Sequence, residues 1–160
     1  MNNDSPYQQS HPTTAMTDDT YSSRTKLANP TRCKHCGAVY LNGRWRWSKV
    51  PEDTPTSTCP ACQREEDHFP AGHIEMKGNF LKQHQEEILA LIKDMERKER
   101  RTYPLERIME IEQRPDRLRI KTTGTHLARG IGDALFDLYH GNESVYYLDD
   151  EKCIRVTWKR

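Results

Sequence analysis

Two Cys-x-x-Cys pairs, Cys33-Lys34-His35-Cys36 and Cys59-Pro60-Ala61-Cys62, constrain this chain more than any other feature. Each pair turns two thiolates toward one point, and two pairs supply the four soft ligands of a tetrahedral zinc site. The 22 residues between the pairs, 37–58, form a slightly longer loop than is usual for such sites. In a zinc ribbon a loop of this kind forms β-strands. Two disulfides in an exported protein would use the same residues, but no charged-then-apolar leader follows Met1. The expected setting is the reducing cytoplasm, where paired cysteines bind metal. A thioredoxin-type redox centre needs a Cys-x-x-Cys that opens a helix inside a βαβ unit, and neither pair reads that way. The expectation is Zn2+ on Cys33, Cys36, Cys59 and Cys62, with iron in the same four-sulfur site as the alternative.

Metal has to contribute to folding here, because a small ribbon buries too little apolar surface to stand alone. The 160-residue chain has 34% hydrophobic and 31% charged residues, and its mean hydropathy of −1.00 implies a modest core. No apolar run reaches membrane-spanning length, so no membrane partner is expected. A net charge of +1 makes no global case for nucleic acid. The distribution does: Arg24, Lys26, Arg32, Lys34, Arg44, Arg46 and Lys49 lie between Thr20 and Pro51 without one acidic residue. A solvated face, partly offset by a four-sulfur zinc centre of charge about −2, would also carry such residues. The pattern favours an anion-binding strip.

Three segments follow. Residues 1–28 are polar with hardly a large aliphatic, which predicts a disordered tail. Residues 29–68 form the ribbon. Within it, Asn42-Gly43 predicts a type I′ hairpin in which Leu41 opposes Arg44, Tyr40 opposes Trp45, Val39 opposes Arg46 and Ala38 opposes Trp47. Alternation then puts Tyr40, Trp45 and Trp47 on one face, and Arg44 and Arg46 on the other. The aromatics can stack on unpaired bases, or cover the cysteine knuckles and pack on the next domain. The second role suits Trp45 and Trp47 better, whereas the arginines are expected to stay wet and make the contacts. The stretch from Arg64 to Gly72 reads as a connector.

Residues 73–160 form an α+β domain. A strand at 73–77 precedes a charged helix at 80–101 with an apolar stripe of Leu81, Ile88, Ile92 and Met95. Strands at 105–111 and 117–121 flank a turn at Pro115-Asp116. Leu118 and Ile120 face inward and leave Arg117, Arg119 and Lys121 in a row on the other face. A second helix at 126–140 carries the stripe Leu127, Ile131, Leu135 and Leu138 and ends at Gly141. Gly130 and Gly132 lower its propensity by roughly 1 kcal/mol each, which suggests close approach to the sheet or a partner. Strands at 144–148 and 153–158 complete a β-α-β-β-α-β-β order, which a ferredoxin-like sheet with an added strand satisfies.

Catalytic signatures are lacking: there is no Gly-x-Ser-x-Gly, phosphate-binding Gly-x-x-x-x-Gly-Lys or His-Glu-x-x-His. Four cysteines also close a zinc shell that a catalytic site would keep open. Cys153 reads as a packing residue. The Thr122-Thr123-Gly124-Thr125 entry to the second helix offers amides to a phosphate, or an ordinary N-cap from Thr123 or Thr125.

The α+β half, with Glu75-Met76-Lys77-Gly78, Arg119-Ile120-Lys121-Thr122-Thr123 and Leu127-Ala128-Arg129-Gly130-Ile131-Gly132, resembles the module after the zinc-binding region of the Nmd-three family, the archaeal proteins and eukaryotic adaptors of the large ribosomal subunit. It is similar also to a small bacterial group of zinc-ribbon proteins. The resemblance covers about residues 30–160 and implies Cys33, Cys36, Cys59 and Cys62 as metal ligands and ribosomal RNA or the ribosome as partner. The eukaryotic adaptor's further cysteine pairs and export signals have no counterpart here. The resulting expectation is a non-enzymatic zinc-ribbon protein that binds RNA or a ribosomal particle. Lys34, Arg44, Arg46 and Lys49 would meet phosphates, with a second strip at Arg117, Arg119 and Lys121. The alternative is a protein–protein adaptor that uses the aromatic ribbon face and the glycine-bearing helix without contacting RNA.

Overall fold

The computed structural model describes residue 21, residues 26–148 and residues 152–160. The tail expected over 1–28 lies outside the described residues except for Tyr21 and residues 26–28. The chain forms an α+β fold with two mixed sheets and three helices among these residues.

The ribbon is built on β1 (Thr31–Cys33), β2 (Val39–Leu41), β3 (Arg44–Arg46) and β4 (Thr56–Ser57), ordered β3-β2-β1-β4. The β2–β3 register is the expected one over three pairs: Val39–Arg46, Tyr40–Trp45 and Leu41–Arg44. Asn42 and Gly43 both take positive φ, 51° and 86°, as a type I′ turn requires. Trp47 lies just past the end of β3. The second cysteine pair opens a helix, α1 (Pro60–Glu66), so the connector begins later than expected. Pro60 fits its first position because no N–H is needed there, and Cys59 caps it by accepting from the Cys62 N–H. This helix does not make a thioredoxin-like unit, since the strand after it belongs to the other sheet.

That strand is β5 (Gly72–Lys77), followed by α2 (Asn79–Thr102), β6 (Ile108–Arg114), β7 (Arg117–Thr122), α3 (Thr125–Tyr139), β8 (Asn142–Leu148) and β9 (Cys153–Lys159). The sheet order is β6-β7-β5-β9-β8. The unit β5-α2-β6 is a split βαβ, with β7 antiparallel between two strands that run the same way. The extra strand is not appended at an edge as a ferredoxin-like sheet would have it. Instead β9 lies beside β5 and parallel to it, and β8 takes the edge. Burial explains the placement. β9 buries Cys153, Ile154, Val156 and Trp158, whereas β8 leaves Tyr146 and Tyr147 exposed, and the most apolar strand belongs where both sides are covered.

Both long helices pack on one sheet face. Leu81, Ile88 and Ile92 of α2 and Leu127, Ile131 and Leu135 of α3 meet Ile74, Met76, Leu118, Ile120, Val156 and Trp158. Each such burial contributes about 1.5–3 kcal/mol. Leu138, expected in the α3 stripe, is 60% exposed. The two helix glycines also differ. A Cβ on Gly132 would lie 2.7 Å from Val156 Cγ1 and from Glu143 Oε1, so the close approach to the sheet occurs there. At Gly130 the nearest atom is Met95 Cε at 3.8 Å.

Candidate metal centre and basic surfaces

The four sulfurs of Cys33, Cys36, Cys59 and Cys62 all lie within 4.8 Å of one another. Cys33 and Cys62 are 3.8 Å apart, as are Cys36 and Cys59. A tetrahedral ion with metal–sulfur bonds of about 2.3 Å sets its sulfurs about 3.8 Å apart, so the cluster fits a metal such as zinc. These distances far exceed a bond of about 2.05 Å, so no disulfide joins the pairs. Cys33, Cys59 and Cys62 are buried, and Trp45 and Leu105 pack against the group. Backbone amides support the sulfurs: Cys59 N–H points at Cys33 Sγ (3.3 Å) and Cys62 N–H at Cys59 Sγ (3.4 Å).

A side chain from the α+β domain completes the surroundings. Arg107, only 4% exposed, directs Nη2 to Cys62 Sγ at 3.2 Å and to Cys59 Sγ at 3.5 Å. Its Nη1 lies 3.4 Å from Glu65 Oε2. Burial works against the charge of Arg107, but the Cys62 hydrogen bond and the Glu65 carboxylate outweigh it and its pKa is raised. The thiols divide their protons unequally. A hydrogen bond from Cys59 brings Cys36 down to about 4, against the effect of its burial. Cys59, as donor to Cys36 and as a buried group, is pushed up, and burial also raises Cys62. Thiols of such a cluster give up their protons when a cation takes their place.

Arg107 carried no sequence signal. It sits in what reads as the start of an alternating strand, yet Leu105 and Arg107 precede β6 and face the cysteines. Thr123 Oγ1 fixes the turn by accepting from the Arg107 N–H (2.9 Å) and donating to the Leu105 carbonyl (2.6 Å). Glu106, next to it, answers the question of the α3 entry. Its Oε2 accepts the Leu127 N–H at 3.0 Å, so an internal carboxylate, not Thr123 or Thr125, caps the helix where a phosphate was considered. Gly124 makes this possible, since a Cβ there would be 2.0 Å from that oxygen.

Of the ribbon aromatics, Trp45 turns inward, whereas Trp47 stays 41% exposed. Trp45 covers the cysteine cluster, with its ring centroid 5.6 Å from that of Tyr40. Trp47 donates from Nε1 to the Arg100 carbonyl at 2.7 Å and so docks on the end of α2. Lys34, Arg44 and Lys49 are exposed, whereas Arg46 is half-buried and its Nε is enclosed. Arg46 therefore departs from the expectation that both hairpin arginines stay wet.

Arg117, Arg119 and Lys121 do lie on the open face of the larger sheet, opposite the helices. Two of them are neutralised across strands: Arg119 by Glu75 (2.6 Å) and Glu112 (3.7 Å), and Lys121 by Glu110 (2.8 Å). Arg114, Arg117, Lys77 and Lys159 also follow one another in register across the strands. Lys77 pairs with Glu75 (2.5 Å) and Arg114 with Glu112 (3.1 Å), while Arg117 and Lys159 have no ion pair among the described residues. Among the described residues the open face carries seven cations, these four with Arg119, Lys121 and Arg155, against the carboxylates of Glu75, Glu110 and Glu112.

No family model matches the chain, and no match was found among curated proteins or among solved structures. No helix among the described residues is long and apolar enough to cross a membrane.

Proposed function

We propose that this is a non-enzymatic zinc-ribbon protein that binds RNA or a ribosomal particle through backbone phosphates. The observation that carries the reading is the charge asymmetry of the open sheet face: among the described residues, seven cations against three carboxylates, in a chain of net charge +1. The row from Arg114 to Lys159 spans three interstrand steps, about 14 Å, and offers a track for a phosphate chain. Lys34, Arg44 and Lys49 add exposed cations on the ribbon, with no ion-pair partner among the described residues. Zinc in this reading is structural, because four cysteine sulfurs fill a tetrahedral shell. The similarity to the Nmd-three family points to the ribosome as the place where such contacts are made.

The test is binding of a mixed-sequence single-stranded RNA, followed by fluorescence anisotropy across a salt series. Replacing Arg117 and Lys77 by Glu, or Arg44 and Lys49 by Glu, should weaken binding at least tenfold and flatten the salt slope while metal stays bound. RNA binding that is undetectable at low salt, or unmoved by both double variants, would remove the reading.

The adaptor alternative has one observation of its own. Phe136 and Leu138 of α3 are 45% and 60% exposed, two apolar side chains that the described residues leave uncovered. A partner retained in pull-downs after nuclease treatment, and lost with Leu138→Glu, would favour it.

A further inference from the structure

The ribbon hairpin and the α2–β6 connection face each other across a cleft of about 600 Å³. Its walls are Trp45 and Arg44 on the ribbon side, and Tyr103, Glu106 and His126 on the other. We propose that this cleft holds one unpaired nucleotide of an RNA strand, with its base stacked on Tyr103, its edge read by Glu106 and its phosphate met by Arg44. The proposal rests on the RNA-binding reading and adds base contacts to it.

Tyr103 is built as a platform. It caps the C-terminal end of α2, where its N–H is tied to the Glu99 carbonyl at 2.9 Å, and the buried Pro104 follows it. Its ring meets His126 edge-on with centroids 6.3 Å apart, yet 52% of the residue is exposed. A large aromatic that is held in place and left bare offers a π-face that any base can use. The cleft also has hydrogen-bonding groups to spare. Glu106 lines the cleft; its carboxylate takes the Leu127 N–H on Oε2 and, with about four lone-pair sites in all, has capacity to accept from an amino group as well. On the facing wall, β3 is the edge of its sheet. Leu41 and Arg44 flank the turn as a hydrogen-bonded pair, so the N–H and C=O of Trp45 point outward from that edge. Arg44 is exposed at the mouth and can take a phosphate.

A carboxylate at the base edge distinguishes cytosine from uracil, since cytosine presents N4–H2 where uracil presents an oxygen. The probes are three single-stranded octamers, of cytidine, of uridine and of abasic ribose phosphate, titrated into the metal-loaded full chain. The cytidine octamer should bind tighter than the uridine octamer. Tyr103→Ala should weaken both about tenfold and leave the abasic octamer unchanged, and Tyr103→Phe should bind like the parent. Tyr103 is exposed, so its loss leaves the fold intact, and Glu106→Gln supplies a second variant in which the cytidine preference disappears. Equal binding of the base-bearing octamers by Tyr103→Ala and the parent overturns the proposal while leaving phosphate binding standing. Failure of the parent to bind any of the three octamers removes the RNA reading and this proposal together.

Discussion

Arg107 Nη2 stands 3.2 Å from Cys62 Sγ, so a cation from the α+β domain reaches the sulfurs of the ribbon. Four thiolates around a divalent ion carry a net charge of about −2, and a buried guanidinium is the group best suited to offset it with directed N–H bonds. The contact makes the metal centre part of the seam between the modules, and several outcomes follow from it.

Arg107→Leu should lower zinc affinity about 10- to 100-fold, the usual effect of removing a hydrogen-bonding partner of metal ligands. Competition with a chromophoric chelator reads this directly. Arg107→Lys should recover only part of the loss, because an ammonium cannot span Cys59 and Cys62 together as the guanidinium does.

Chelation, or Cys59→Ser, should release the ribbon from the sheet domain without unfolding the latter. The core of Ile74, Ile120, Ile131 and Trp158 is separate from the cysteine cluster. Amide hydrogen exchange should therefore rise across β1–β3 and α1 and stay slow in β5, β7 and β9. Simultaneous loss of protection in both modules would contradict this.

The register of the hairpin and the inward face of β7 were legible in the sequence because they are local. Asn42-Gly43 fixes the turn, and alternation at Leu118 and Ile120 fixes the face. The position of β9 was not legible, since it depends on which strand edge the chain meets after α3, and local pattern does not encode that choice. The role of Arg107 was hidden for a similar reason: one arginine in an alternating stretch looks like a surface residue until the fold sets it against two sulfurs. Likewise Arg119 and Lys121 read as free cations because Glu75, Glu110 and Glu112 are remote in sequence and become their neighbours only through strand pairing.

The two glycines of α3 should respond in opposite directions to alanine. Gly132→Ala forces a Cβ to within 2.7 Å of Val156 Cγ1 and should cost about 1–3 kcal/mol. Gly130→Ala meets nothing nearer than 3.8 Å and should stabilise by up to about 1 kcal/mol. Urea denaturation of the two variants checks both signs.

Glu75 links stability to pH. Hydrogen bonds from Lys77 and Arg119 hold its carboxyl below the ordinary range. Its contribution is therefore full above the unfolded value of about 4.3 and is lost as pH falls through the lower folded value. Glu75→Gln should be less stable than the parent at pH 6, and the gap should narrow as the pH approaches 3. A gap that is constant with pH would assign the effect to something other than ionisation.

The most direct test of the central claim is native mass spectrometry of the purified chain, before and after Cys62→Ser. The account predicts one zinc ion per chain in the parent and loss of that ion in the variant. A parent chain that carries no metal, or a variant that keeps its full complement, would contradict it.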